Sequence, residues 1–126
     1  MRGRGRERGV GTILIAALML LVVLGTLAGV WVLGWWRAHA RAADAADLAA
    51  IAGGEAYAAT GEACSRARHT VARNGAELVS CSVAGDATSF VVTVTAETRL
   101  WPPVHLPGAP RSVRATALAG SSNALP

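Results

Sequence analysis

Few residues in this chain are of a type that could do chemistry, and their spacing limits what each could do. Cys64 and Cys81 are the only cysteines and stand 17 positions apart. An even count in an oxidising compartment favours a disulfide. Closing a loop of about 18 residues is worth about 3 kcal/mol on chain-entropy grounds. A structural zinc site would need histidine partners, and His69 and His105 match no finger spacing. Together with His39 they are too scattered to suggest a catalytic triad. Asp44 and Asp47, at i and i+3, could be drawn as a carboxylate pair, but like charges on the solvated face of an alanine-rich helix account for them. Arg66, Arg68 and Arg73 could form a nucleic-acid patch; a solvated face that complements a helix C-terminus is the simpler reading. There is no GxxxxGK[ST], no dinucleotide-binding glycine fingerprint, no HExxH and no GxSxG. The expectation is a protein without catalytic, cofactor or metal residues.

The elements that must position these residues begin with an unusual distribution of charge. The 126 residues are 52% hydrophobic and only 16% charged, against about 25% charged for an ordinary soluble domain. No charged residue occurs in the 28 positions from Gly9 to Trp36. The remainder of the chain is too short for a large enzyme core. Of the net charge of +4, residues 1–9 carry +3 through Arg2, Arg4, Arg6 and Arg8 against Glu7. Residues 37–126 hold eight Arg against seven acids. The basic balance therefore belongs to a short leader rather than to a folded face, and no nucleic-acid partner is expected.

Val10–Trp36 reads as a transmembrane helix. Its 27 residues would extend about 40 Å, against about 30 Å of bilayer core. The positive-inside bias places residues 1–9 in the cytoplasm and the rest outside, with Trp31, Trp35 and Trp36 at the exit. The rival is a secretory signal cleaved at Ala38-His39-Ala40; its apolar region is normally 7–15 residues, well short of this one. Gly25 and Gly29 form a GxxxG pair, a candidate face for close helix–helix packing in lipid.

Beyond Trp36 the composition predicts an alanine-rich helical stalk over 37–54, with a kink or break at Gly53-Gly54. Leu48, Ile51 and the alanines form a thin apolar stripe suited to packing against another helix, or simply a solvated stalk. A second helix is expected from Glu55 to Asn74, stopped by Gly75. The period then changes to two: Phe90, Val92, Val94 and Ala96 alternate with Val91, Thr93, Thr95 and Glu97, which predicts a half-buried strand over Thr88–Thr98. Glu77–Val83 and Ser112–Leu118 are weaker strands. Trp101–Pro110 contains four prolines and reads as a stiff loop, either a connector or a partner-binding element. Gly120–Pro126 reads as a frayed tail. The expected fold is α+β: a transmembrane helix, a stalk, and a small domain over 55–119 with one helix and about three antiparallel strands.

This plan resembles that of type IV pilin-like subunits and, more closely, the TadE-like proteins of actinobacteria, relatives of the tight-adherence pilus pseudopilins. The likeness rests on Arg8-Gly9-Val10-Gly11-Thr12-Ile13-Leu14, on Ala40–Ala50, and on Cys64 followed by Asn74-Gly75-Ala76 and Cys81. It implies a non-enzymatic part in assembling a pilus or related secretion apparatus, with other pilin-like or secretion-apparatus membrane subunits as partners and self-association as a further expectation. It also implies a candidate processing site between Gly9 and Val10. In pilins a carboxylate five residues after the cleaved Gly pairs with a neighbour's new amine; here Leu14 stands in that place. An accessory or minor subunit that stays in the membrane fits that departure better than a filament subunit. The other functional class is a single-pass anchor whose outer domain binds a ligand or partner.

Overall fold

The computed structural model describes residues 4–103 and 105–121, with side chains described from Gly9 onward. Two compact units divide the chain, Met1–Leu33 and Gly34–Pro126. A helix α1 (Arg4–Thr60) begins in the first unit and ends in the second. It is followed by α2 (Ala63–Arg73), β1 (Glu77–Gly85), β2 (Phe90–Arg99) and β3 (Ser112–Ser121). The strands form one antiparallel sheet in the order β1-β2-β3. The architecture is the α+β class expected from the sequence.

The expected break at Gly53-Gly54 does not occur. Helix α1 continues through both glycines to Thr60 and so takes in the first part of the second helix expected from Glu55. Gly53 serves close approach instead of a bend. A Cβ on it would lie 3.2 Å from the Ala63 carbonyl oxygen and 3.3 Å from Val92 Cγ1. The chain turns at Gly61, whose φ of +81° is open to glycine at no steric cost. Its N–H donates to the Tyr57 carbonyl at 2.9 Å, a left-handed C-terminal cap. Two residues later α2 begins. As expected, Gly75 ends it: the Gly75 N–H donates to Ala72 O and the Ala76 N–H to Val71 O, the paired bonds of a Schellman motif. Ala76 and Val71 are both buried in the core, which supplies the apolar contact that accompanies such a cap.

Helix α1 meets the sheet through alanine. Ala38, Ala42, Ala45, Ala46, Ala49 and Ala50 are buried, and their i, i+4, i+7, i+8 spacing continues to Gly53. This is one face of a 3.6-residue helix. Leu48 and Ile51, grouped with the alanines on sequence, lie about half exposed on the opposite face. On α2, Ala63, Ala67 and Val71 at i, i+4 and i+8 complete the contact. The largest fully buried side chains are only Val71, Val92 and Val94. Phe90 closes one end of the core against Tyr57, with ring centroids 4.6 Å apart.

Strand β2 is central and behaves as its alternation predicts: Phe90, Val92, Val94, Ala96 and Thr98 are buried, and the residues between them face outward. On that outer face Thr95 and Thr116 are directly paired and share a hydroxyl hydrogen bond of 2.9 Å. Strand β1 carries a bulge between Leu78 and Ser80. Leu78 and Cys81 are an odd number of positions apart, so a regular strand would send them to opposite faces. The extra residue, Val79, restores both to the side that packs on the core. Strands β1 and β3 are longer than expected. Gly120 and Ser121, assigned on sequence to a frayed tail, pair with Val91 and Phe90; the rest of that tail lies outside the described residues.

Cys64 on α2 and Cys81 on β1 are joined in a disulfide, with Cα atoms 5.7 Å apart. Replacing both by Ser is expected to lower stability by about 3 kcal/mol, measured by chemical denaturation of the full chain in detergent. Enlarging the stripe should also be costly. Ala49→Leu is expected to lose about 1–3 kcal/mol or more through overpacking, whereas Leu48→Ala on the open face should change stability by less than about 0.5 kcal/mol. Equal effects from the two would refute the assignment of faces.

Candidate functional site

In the first unit the side chains from Gly9 to Leu33 are exposed all round the helix. This stretch is long and apolar enough to cross a membrane. Its polar groups must be satisfied within the helix if it is to lie in hydrocarbon. Thr26 meets that demand, since its hydroxyl lies 3.0 Å from the Val22 carbonyl and 2.8 Å from the Val23 carbonyl. Gly25 and Gly29 stand one turn apart, and nothing among the described residues comes within 4 Å of where a Cβ would sit on either. The pair leaves a patch of bare backbone open to a second helix. Gly9 and Val10, the candidate processing site, lie within α1 and are exposed, as is Leu14.

In the second unit the potentially reactive residues are kept apart. His39 stacks on Trp35 with centroids 6.1 Å apart. His69 faces a shallow groove between α1 and α2 beside Glu55 and Arg66. His105 is in the loop after β2. Asp44, Asp47, Arg66, Arg68 and Arg73 are all exposed. Among the described residues no three of His, Cys, Asp and Glu come together as a metal site.

A depression of about 950 Å³ is lined by Arg41, Glu77, Glu97, Arg99, His105 and Arg111 among others. Sequence reasoning did not find it, because its residues come from both helices, all three strands and the loop, and no short motif joins them. Thr98 reaches the same depression, and its buried hydroxyl has no hydrogen-bond partner among the described residues. Glu97 is held below its ordinary carboxylate range, first by the Ser112 hydroxyl and then by the charges of Arg114 and Arg99. The ion pair to Arg114, at 3.4 Å, is exposed and contributes little.

The hairpin between β1 and β2 has its own organising group. Asp86 Oδ1 accepts from the Thr88 N–H, the Thr88 hydroxyl and the Ser89 N–H, at 2.8–2.9 Å. These bonds, the Thr88 hydroxyl foremost, hold its carboxyl below the usual range.

The loop from Trp101 to Pro110 is closed at its base by the Leu100 N–H donating to the Arg111 carbonyl at 3.0 Å. Trp101 is 78% exposed and Leu106 68% exposed. The Trp101–Pro102 peptide is cis and lies on Gly34 of α1, where a Cβ would overlap the Trp101 carbonyl oxygen.

No family model, curated protein or solved structure matches this chain.

Asp86 and Glu97 both have folded-state pKa values lowered below their ordinary 3.8 and 4.5. The stability they add is complete above those ordinary values and is lost as pH falls through the lowered ones. Melting temperature should therefore drop on acidification below about pH 4. Asp86→Asn keeps the acceptor oxygen and removes the titration, so its acid-side drop should be smaller. An identical drop would show that Asp86 contributes nothing to it.

Proposed function

We propose that the chain is a non-enzymatic, single-pass membrane subunit of pilin-like plan. On this reading it is TadE-like and serves a tight-adherence-type pilus or a related secretion apparatus as a pseudopilin or accessory component. It acts by packing its helix against those of other subunits in the bilayer. The observation that carries this reading is α1 itself. One helix of 57 residues has an apolar first part bare on every side, with Gly25 and Gly29 uncovered, and an alanine-faced last part that forms the spine of a small sheet domain. A helix with no polar face over so many turns suits lipid. The Arg-rich leader favours a cytoplasmic N-terminus. The Cys64–Cys81 disulfide suits an extracytoplasmic, oxidising location for the sheet domain.

Two measurements test the reading. Gly25→Leu with Gly29→Leu fills the bare backbone patch without touching the sheet domain, and it is expected to abolish crosslinking to neighbouring subunits in native membranes. Unchanged crosslinking would remove helix packing at this face as the mechanism. The mass and N-terminal sequence of the mature protein distinguish a processed pseudopilin from a permanent membrane component. A chain beginning at Val10 is the pseudopilin result despite Leu14, whereas one retaining its Arg-rich leader makes the protein an unprocessed accessory subunit.

A further inference from the structure

The charge-free run ends at Trp36, and Gly34 lies inside it. At 1.5 Å per residue, Gly34 sits about 4–5 Å before Arg37, the first charge after the run. The backbone of Trp101 packs directly on this glycine, and a Cβ there would also come within 3.5 Å of Pro102 Cδ. A loop of the sheet domain is thereby held at a level that belongs to the apolar part of the helix.

Packing within the chain does not explain the side chains this loop presents. Trp101 is the most exposed large apolar residue described, and Leu106 is nearly as open. The loop that carries them is stiffened by Pro102, Pro103, Pro107 and Pro110. It is also closed at its base by the Leu100–Arg111 hydrogen bond and turned by the Ala109 N–H donating to Leu106 O. Holding two apolar side chains out on a stiff support reduces the entropy lost when they are buried elsewhere. Trp35 and Trp36, also exposed, flank the same level on α1. Tryptophan is the residue that best suits the boundary between headgroups and acyl chains.

The length of the run points the same way. Val10–Trp36 exceeds the hydrocarbon core by about 10 Å, so one end must lie in the interfacial layer, or the helix must tilt. Charge at the loop is mixed, with Arg41, Arg99, Arg111 and His105 facing Glu77 and Glu97 across the same depression, whereas the side chains held furthest out are apolar.

We infer that the loop after β2 is a second membrane contact through Trp101 and Leu106, which are inserted in the headgroup layer beside the emerging helix. The inference rests on the membrane-spanning reading above. It makes the contact apolar and therefore insensitive to salt.

The test uses the full chain in phosphatidylcholine vesicles that carry a lipid with a quenching label near the headgroup. A variant with Trp31→Phe, Trp35→Phe and Trp36→Phe leaves Trp101 as the only tryptophan, excited at about 295 nm so that Tyr57 does not contribute. All three replaced side chains are exposed, so the core of the sheet domain is untouched. The expected result is blue-shifted emission, quenched by the lipid label and protected from aqueous iodide, with no change in high salt. Emission that iodide quenches and the lipid label does not would overturn the inference. Protection from both quenchers would also overturn it, since protein would then be covering the loop. A companion variant with Trp35→Phe, Trp36→Phe and Trp101→Phe reports on Trp31 inside the apolar run. If Trp31 also escapes the lipid label, the spanning reading has failed; if Trp31 is quenched and Trp101 is not, only the loop contact has failed.

Discussion

Everything in the sheet domain depends on how closely one helix can approach one strand. Alanine has nothing beyond Cβ, so a helix face built from it brings its backbone nearer to its neighbour than leucine would allow. Ala42, Ala45, Ala46 and Ala49 have no exposed surface at all. At Gly53 even a methyl group would press on Val92 and the Ala63 carbonyl. The small residues on α2 and the valines of β2 complete this geometry. The consequence is a thin core: each buried methyl contributes little hydrophobic free energy, and a domain of this size has little to spare. The disulfide between α2 and β1 offsets that deficit by restricting the unfolded chain and not by adding buried area.

Several elements could be read from residue types alone, because local physics decides them. Strict alternation through Phe90–Thr98 specified which side chains of β2 face the core, and Gly75 marked the end of α2. The two cysteines were joined as their count suggested. The end of α1 was misplaced for an equally physical reason. A glycine pair in a helix signals flexibility by propensity, whereas close packing can require the same residue to keep the helix straight. Only tertiary contact distinguishes the two cases. The buried face was hidden by the composition of the stalk: where nearly every position is alanine there is no contrast in hydrophobicity, and the eye follows the two large residues, Leu48 and Ile51. They turned out to face away. The bulge at Val79 and the seat of Trp101 on Gly34 depend on pairing between distant segments, which no local pattern carries.

The candidate functional residues were legible to a different degree. Gly25 and Gly29 are candidates by their GxxxG spacing and Gly9 and Val10 by the resemblance alone, and the structure leaves all four exposed on α1. The charged depression draws on both helices, all three strands and the loop, and no local pattern joins them; the proline-rich loop itself was legible as a stiff connector or partner-binding element. The contrast separates the two units by type of surface. One offers an apolar helix whose threonine hydroxyl at position 26 is satisfied by its own backbone; the other offers an outer sheet face where paired threonines stand beside exposed Val91 and Leu118.

An interface made of alanine also has an informational cost. From alanine, glycine is the only step down in size, so the face from Ala38 to Gly53 admits almost no vocabulary beyond the residues already there. Its meaning lies in the interval between positions, with very little in the identity of each. Chains that share this architecture can therefore diverge freely on the opposite face while keeping the same rhythm of small residues. Because alanine is common in any biased composition, that rhythm is a faint signal in a residue-by-residue comparison. The architecture is conveyed by spacing, and spacing is what a search for its relatives would have to score.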